Sequence, residues 1–249
     1  MPITARSLYR DSINFFRHQM APIILLALLT AFISVALNQT FSPSSQALTQ
    51  LANDDNVSAA RGLQDMIRQM TPEQQMTLLK VSAAASFSVL IGNVLLLGGM
   101  LVLIAQASNG ARLSALRAIG LSAPMLPRLL LLMLLCTLMV QLGITLFILP
   151  GIILAVGLAL SPMIMTAEQC GVIKAIRSSF RLSFANVRLI SPAILLWMLM
   201  KLVLLLLVDT LAALHPSLGM VIMGTLSNLI SVGLILYLSR LYMLLRTPA

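Results

Sequence analysis

Apolar residues occur along this chain in long runs that are separated by short polar and basic stretches. The longest run extends from Leu129 to Ala167 without a charged side chain. About 20 apolar residues cross the hydrocarbon core of a bilayer, so this run is long enough for two crossings. Pro150 and Gly151 lie in its middle. Because proline removes a backbone donor and glycine tolerates a positive φ, the pair predicts a tight reversal between two spans.

Six apolar regions in all are long enough to cross a bilayer, and they predict an all-α integral membrane protein built as a bundle of six transmembrane helices. The chain is interpreted as one polytopic membrane domain covering residues 1–249. The predicted spans are approximately 20–37, 81–107, 129–149, 152–167, 189–208 and 218–238. The polar loop 38–80 is the longest connection, and apolar residues at helical spacing predict a small amphipathic helix near 58–70.

The second span carries two local signals. Thr71 can cap a helix, Pro72 suits the first helical position and Gln74 completes a capping box, so a helix is expected to begin here and to continue into the span. Small residues then recur at every fourth position from Ala84 to Gly92. Such a stripe lets two helices approach closely in lipid, and ordinary bundle packing is its favoured interpretation.

Two segments outside the spans predict helices that lie at the membrane interface. Residues 1–19 mix arginines with aromatic side chains just before the first span. Residues 172–188 combine an apolar stripe with a basic one. The apolar positions are Ile173, Ile176, Phe180, Phe184 and Val187, and the cations are Lys174, Arg177, Arg181 and Arg188. We expect these four cations to contact anionic headgroups, at about 1 kcal/mol per charge near an anionic leaflet.

The distribution of lysine and arginine predicts the orientation of the chain. With six spans, one side receives 12 of the 16 basic residues: three before the first span, three in 108–128, four in 168–188 and two after the last span. The loop 38–80 holds three more, which four acids offset. The positive-inside rule therefore predicts that both termini are cytoplasmic. Tyr237 and Tyr242, near the end of the last span, are expected in the aromatic belt.

Composition supports the membrane assignment and argues against nucleic acid as a partner. The chain has 59% hydrophobic and 9% charged residues, whereas soluble domains contain about 25% charged residues. Its mean hydropathy is +0.99. The net charge of +9 comes from basic residues scattered between spans rather than gathered on one folded face. They are better explained as topology determinants and lipid contacts.

No constellation of residues predicts catalysis, a metal site or a cofactor. His18 and His215 fall on opposite sides of the predicted bilayer, so they cannot act together. Cys136 and Cys170 form no CxxC motif, and no set of histidines, cysteines and carboxylates has metal-ligand spacing. We therefore expect no enzymatic activity.

Lys201 is the residue that stands out, since it lies alone as a charged side chain within the fifth predicted span. An ionisable group at membrane depth is a functional candidate, because its insertion costs about 2.5–3.5 kcal/mol. With Asn93 and Asn228 it defines a possible transport path. The structural alternative is that Lys201 reaches the outer interface or pairs with Asp209, two turns on, while the amides hydrogen-bond between helices. We favour the structural alternative.

The chain resembles the YciC family of small, uncharacterised inner-membrane proteins of enteric bacteria over nearly its whole length. The resemblance rests on ITARSLYRDSINFFR near the start, MTPEQQ at 70–75, SALRAIGLSAP at 114–124, LPGIILA at 149–155, RSSFRLSFANVRLISPA at 177–193, and TLSNLIS and YLSRLYMLLR near the end. It implies an inner-membrane location and no established reaction.

Residues 150–188 also resemble the membrane domain that is attached to some glycerophosphodiester phosphodiesterases. The shared positions are Pro150, Gly151, Pro162, Glu168, Ala175, Arg177 and Ser178. The catalytic domain of those enzymes has no counterpart in this chain, so the resemblance implies no hydrolase activity.

Two functional hypotheses follow. The first is a non-enzymatic protein of the bacterial inner membrane that binds anionic lipid headgroups, or supports a membrane partner, through residues 172–188. The second is a small transporter or channel that uses Lys201 and the intramembrane amides. The substrate, the partner and the oligomeric state do not follow from the sequence.

The predicted orientation can be tested with reporter fusions. Alkaline phosphatase fused within residues 45–53 is expected to be active, because that enzyme works only after export. A fluorescent protein fused within residues 108–128 is expected to fluoresce in the cytoplasm. If both segments report the same side of the membrane, the predicted threading is wrong.

Overall fold

The computed structural model describes residues 5–41, 70–111, 113–207 and 216–246. These residues form ten α-helices and one 3₁₀ helix, Ala123–Met125. The α-helices are α1 Ala5–His18, α2 Met20–Phe41, α3 Pro72–Ser108, α4 Ala115–Ser122, α5 Leu126–Leu146, α6 Ile148–Leu158, α7 Ser161–Glu168, α8 Val172–Ala185, α9 Val187–Leu206 and α10 Pro216–Arg246. The helix predicted near 58–70 lies outside the described residues, apart from Met70 at its end.

Six helical stretches in the described residues are long and apolar enough to cross a membrane. They are Met20–Phe41, Pro72–Ser108, Ala115–Leu146, Ile148–Glu168, Val187–Leu206 and Gly219–Arg246. They follow the order of the predicted spans, and each overlaps one of them. The third stretch joins α4, the 3₁₀ helix and α5, and the fourth joins α6 and α7. The prediction of an all-α protein is confirmed for the described residues, which contain six helical stretches able to span a membrane.

The start of α3 follows from its sequence. Thr71 Oγ1 accepts a hydrogen bond from the Gln74 amide at 3.3 Å, and Gln74 Oε1 accepts one from the Thr71 amide at 2.8 Å. Pro72 occupies the first turn, where the missing N–H has no helical acceptor in any case. The capping box is confirmed, and the helix continues without a break into the second span.

Helices α2, α3 and α10 form the centre of the bundle, and close contacts between small residues hold them together. Gly92 of α3 lies against Ser34 of α2, and a side chain at this glycine would overlap the serine hydroxyl. Gly224 of α10 lies against Ala31 of α2. The stripe of small residues on α3 therefore packs against a neighbouring helix, as predicted.

The buried core takes residues from all ten α-helices, with the largest shares from α3 and α10, while α5 and α9 expose most of their surface. Only 17% of the most apolar window of the third stretch and 22% of that of α9 are buried, against 67% for α3. The exposed residues of α5 and α9 are mainly leucines; among them are Leu138, Leu142, Leu146, Leu199, Leu205 and Leu206. Such outward-facing apolar helices suit a lipid environment, which solvates leucine as well as a protein core does.

The reversal between the third and fourth spans occurs at Phe147, so its prediction at Pro150 and Gly151 was wrong by three residues. Helix α5 ends at Leu146, Phe147 is extended with φ −159° and ψ 148°, and α6 begins at the next residue. Pro150 lies in the first turn of α6, where a proline is tolerated. Gly151 has no positive φ. Its role is steric, since a Cβ there would lie 2.8 Å from the backbone nitrogen of Ile144.

Tyr237 and Tyr242 are buried within the protein, so their expected place in the aromatic belt was wrong. They are 2% and 6% exposed. The Tyr237 hydroxyl donates to the Leu189 carbonyl oxygen at 2.9 Å, and its ring lies 4.8 Å from that of Tyr9. Tyr237 therefore joins α10 to both α1 and α9, and α1 packs on the bundle through its buried residue Leu8.

Glycine-to-alanine substitutions test the steric role of Gly151. Gly151→Ala is expected to lower the thermal unfolding midpoint in detergent, because overpacking costs about 1–3 kcal/mol and the crowding group is backbone. Gly233→Ala is the matched control, since no atom lies within 4 Å of its added Cβ. Both changes raise helix propensity equally. Equal midpoints for the two variants would contradict the steric role.

Candidate functional site

Helix α8 carries three of the four cations of the predicted lipid-contact segment, and Arg188 follows at the start of α9. Small side chains attach α8 to the bundle. Ala175, Ser179 and Ser183 recur at every fourth position and are fully buried. The Ser179 hydroxyl donates to the carbonyl oxygen of Gly157 at 2.7 Å. A Cβ on Gly157 would lie 2.5 Å from the ring of Phe180. Helix α8 therefore rests on the backbone of α6 at a position where only glycine leaves room.

The cations of α8 and of the residues after it point away from this attachment. Lys174, Arg177, Arg181 and Arg188 are all exposed. The structure divides the predicted apolar stripe into two parts. Ile173 and Phe184 are 81% and 46% exposed, whereas Ile176 and Phe180 are half-buried against the bundle. The outer surface of α8 thus combines cations with large exposed apolar side chains.

The backbone between α7 and α8 reverses the direction of the chain after the fourth span. Helix α6 ends at Leu158 and α7 begins at Ser161, with Pro162 in its first turn. Helix α7 ends at Glu168, and its C-cap residue Gln169 adopts the left-handed conformation with φ 49°. Gly171 then precedes α8 in an extended conformation. The chain leaves the spanning stretch at this turn, and α8 packs back on α6 and α7.

Two contacts that the sequence did not predict tie the end of α7 to the end of α10. The Tyr242 hydroxyl donates to Glu168 Oε1 at 3.2 Å. Arg246 Nη1 donates to the Ala167 carbonyl oxygen at 3.4 Å. Both pairs join residues more than 70 positions apart. A stretch that contains a tyrosine and an arginine gives no signal of such distant partners.

Lys201 is half-buried and bonds to the neighbouring helix α10. Its Nζ donates to the Ser227 carbonyl oxygen at 2.8 Å and also to the Ser227 hydroxyl. The ammonium lies 5.5 Å from the centroid of the Trp197 ring. The partner considered from the sequence, Asp209, lies outside the described residues. Lys201 therefore acts as an interhelical hydrogen-bond donor between α9 and α10.

Asn228 follows Ser227 on α10, and its side chain hydrogen-bonds to α2. Its Nδ2 donates to the Ala27 carbonyl oxygen at 3.1 Å and to Thr30 Oγ1 at 3.0 Å. Thr30 is fully buried. Asn93 lies half-buried on α3 and takes no part in these bonds. The structure thus places the contacts of Lys201 and Asn228 at adjacent residues of α10 that face different helices, and Asn93 belongs to neither contact.

Reactive groups are sparse in the part of the chain that the structure describes. No group of three or more histidine, cysteine, aspartate or glutamate side chains there is arranged to hold a metal ion. Cys136 is half-buried and Cys170 is buried, and both are free thiols. The chemistry that the described residues offer is therefore hydrogen bonding between helices and cationic contact at exposed surfaces.

Comparison with known proteins shows similarity over nearly the whole chain. The model of an uncharacterised protein family, UPF0259, matches residues 1–244. A UPF0259 membrane protein of Serratia proteamaculans (strain 568) is 57% identical over 250 residues, which cover 99% of this chain and 100% of that protein. One of Yersinia pestis (strain Pestoides F) is 57% identical over 249 residues, covering 99% and 97%. No solved structure matches.

Substitutions of Asn228 and Lys201 distinguish a role in holding helices together from a role in transport. Asn228→Leu is expected to lower the unfolding midpoint in detergent, because it removes two interhelical hydrogen bonds of about 0.6 kcal/mol each. Lys201→Met is expected to change the midpoint less, because it also removes the cost of burying an ammonium.

Activity measured by complementation of a deletion strain completes this test. Lys201→Met is expected to retain activity at normal abundance. Loss of activity without loss of abundance or thermal stability would contradict the structural role of Lys201 and favour a transport path. Thr225→Val serves as the control, since Thr225 bonds only within its own helix, to the Val221 carbonyl oxygen.

Proposed function

The chain belongs to the UPF0259 family of uncharacterised membrane proteins, and from this premise we propose that it is a non-enzymatic component of the bacterial inner membrane that binds anionic lipid headgroups through α8. The binding surface consists of Lys174, Arg177, Arg181 and Arg188 with the apolar side chains beside them. The cytoplasmic leaflet is the surface to which it binds.

The observation that carries the proposal is the division of α8 into two faces. Its inner face is made of small residues, one of which bonds to the backbone of Gly157. Its outer face exposes Lys174, Arg177 and Arg181 together with Ile173 and Phe184, and Arg188 is exposed just beyond it, at the start of α9. A helix that was only packed in the core would have no reason to present these groups outward. A helix at a lipid surface needs both, since the apolar side chains enter the acyl boundary and the cations meet the phosphates.

The magnitude of the attraction is sufficient for a lasting contact. Each basic residue near an anionic leaflet contributes about 1 kcal/mol. Four of them, three on α8 and one at the start of α9, give an attraction of several kcal/mol even if their effects do not add fully. The spanning helices already hold the protein in the membrane, so this attraction selects which lipids surround α8 rather than anchoring the chain.

The orientation belongs to the same proposal. The basic segments alternate with spans so that α8, α1 and the end of α10 share one side, and the positive-inside rule makes that side cytoplasmic. An inner-membrane location is consistent with helical spans, because proteins of the bacterial outer membrane span it as β-barrels. A protein partner with an acidic surface is an alternative occupant of the same face of α8.

The transporter hypothesis has less support. Its main residue, Lys201, already donates to the Ser227 carbonyl and hydroxyl oxygens, and Asn228 is engaged with α2. Groups that bind their neighbours in this way hold helices together. A transported substrate would have to displace these bonds.

Neutralising two cations of α8 tests the proposal. Arg177→Gln/Arg181→Gln is expected to reduce the amount of phosphatidylglycerol that remains bound after purification, because two of the four charges on this surface are lost. The measurement is native mass spectrometry of protein released from nanodiscs that contain equal amounts of phosphatidylglycerol and phosphatidylcholine.

Arg117→Gln/Arg128→Gln is the matched control. It removes the same charge from exposed positions on the same predicted side of the membrane. This control variant is expected to retain phosphatidylglycerol as the wild type does. Equal retention by all three proteins would contradict lipid binding at α8, and equal loss in both variants would show that only the total charge matters.

A further inference from the structure

A polar cleft of about 430 Å³ lies between α1, the C-terminal end of α3 and α10. Its lining includes Asn14 and His18 from the second half of α1, Gln19 just after that helix, Ala107 from α3 and Arg240 from α10. The volume falls within the range of about 300–1,000 Å³ that is typical of small-molecule sites. None of these residues belongs to the surface of α8.

Arg240 is the residue that gives this cleft a chemical preference. Its guanidinium lies 5.3 Å from the centroid of the Phe15 ring, which holds the group in place by a cation–π contact. Its Nε is buried and has no hydrogen-bond partner among the described residues. Buried polar groups in folded proteins are nearly always hydrogen-bonded, and an unmatched donor on a charged group is especially unfavourable. The described part of the chain therefore leaves this charged group short of acceptors, and because Arg240 lines the cleft, an acceptor there would meet those of its N–H groups that reach the cleft.

The other groups that line the cleft narrow the class of ligand. A guanidinium offers several N–H donors in one plane, which match two oxygens of a phosphate at once. Asn14 and Gln19 also line the cleft, and their side-chain amides are further hydrogen-bond donors. Asp11 is the acidic residue that lines the cleft, and it is exposed, so solvent and salt screen its repulsion of an anion. The volume exceeds that of a bare phosphate ion and leaves room for an organic substituent.

We propose that this cleft binds a phosphate-bearing anion through Arg240. The phosphate belongs either to a phospholipid headgroup or to a soluble phosphate ester, and the two share the chemistry that Arg240 recognises. Arg240 lies near the C-terminal end of the last span, on the side predicted to be cytoplasmic, where both sources are present. The proposal does not depend on lipid binding at α8, because no residue is common to the two sites.

The test compares four forms of the full-length protein. Arg240→Gln removes the charged donor, and Ala107→Leu fills the cleft from the opposite wall while leaving the arginine in place. Arg10→Gln is the charge-matched control, because Arg10 is an exposed cation of α1 that does not line the cleft. The unfolding midpoint of each unliganded protein in phosphate-free detergent shows that it is folded. If Arg240→Gln fails to fold, Ala107→Leu decides the result.

The first arm titrates the proteins with glycerol 3-phosphate and follows the unfolding midpoint. The second arm measures phosphatidylglycerol retained from nanodiscs by native mass spectrometry. If the ligand is a soluble ester, glycerol 3-phosphate raises the unfolding midpoint of the wild type and of Arg10→Gln until it saturates. Arg240→Gln and Ala107→Leu then weaken the apparent affinity for glycerol 3-phosphate by about tenfold or more. For a headgroup, glycerol 3-phosphate has no effect and the same two variants retain fewer phosphatidylglycerol molecules than Arg10→Gln does.

If neither arm distinguishes Arg240→Gln and Ala107→Leu from the wild type, the proposal is wrong. If Arg10→Gln weakens binding as much as Arg240→Gln, the attraction comes from the total charge of α1 and α10, and a site in the cleft is likewise excluded. Failure here leaves α8 untouched, since Arg177 and Arg181 are intact in every variant.

Discussion

Polar groups inside a bilayer must find their partners within the protein, and this constraint determines how the helices of this chain are joined. Hydrocarbon supplies neither donors nor acceptors, and it solvates leucine as well as a protein core does. Apolar burial therefore gives the helices little reason to associate. What holds them is close contact between small residues, as at Gly92 and Gly224, and hydrogen bonds such as that from Asn228 to the carbonyl oxygen of Ala27.

Helix α10 shows how these contacts are combined in one element. Consecutive residues on it face different neighbours: Ser227 accepts from Lys201 of α9, and Asn228 donates to α2. Further along, Tyr237 bonds to the start of α9 and stacks on α1, and Tyr242 reaches the end of α7. A single long helix thus fixes the positions of four others. Near the end of α10, the Nε of Arg240 has no hydrogen-bond partner within the part of the chain that the structure describes.

The sequence predicts those features that depend on local or averaged properties. Mean hydropathy predicts the six spanning stretches, because membrane insertion depends on the apolar content of about 20 residues and not on their neighbours in space. The capping box at Thr71 and Gln74 is equally local, since both partners lie within one turn. The reversal at Phe147 was misplaced because proline and glycine have more than one role near a helix start. In this structure Gly151 provides space and not a positive φ.

Features that depend on partners distant in the chain could not be predicted. Asn228 bonds to a residue 201 positions away, and Tyr242 to one 74 positions away. Tyr237 and Tyr242 were predicted to be interfacial from their position near the end of a span. That position does not show in which direction a side chain points. The same limit applies to the basic residues. The periodicity of 172–188 shows that cations share a stripe, but only packing shows that α8 turns this stripe outward, through Ser179 and Gly157. Arg240 has no local signal that separates it from Arg246, and the difference between them arises from burial against Phe15.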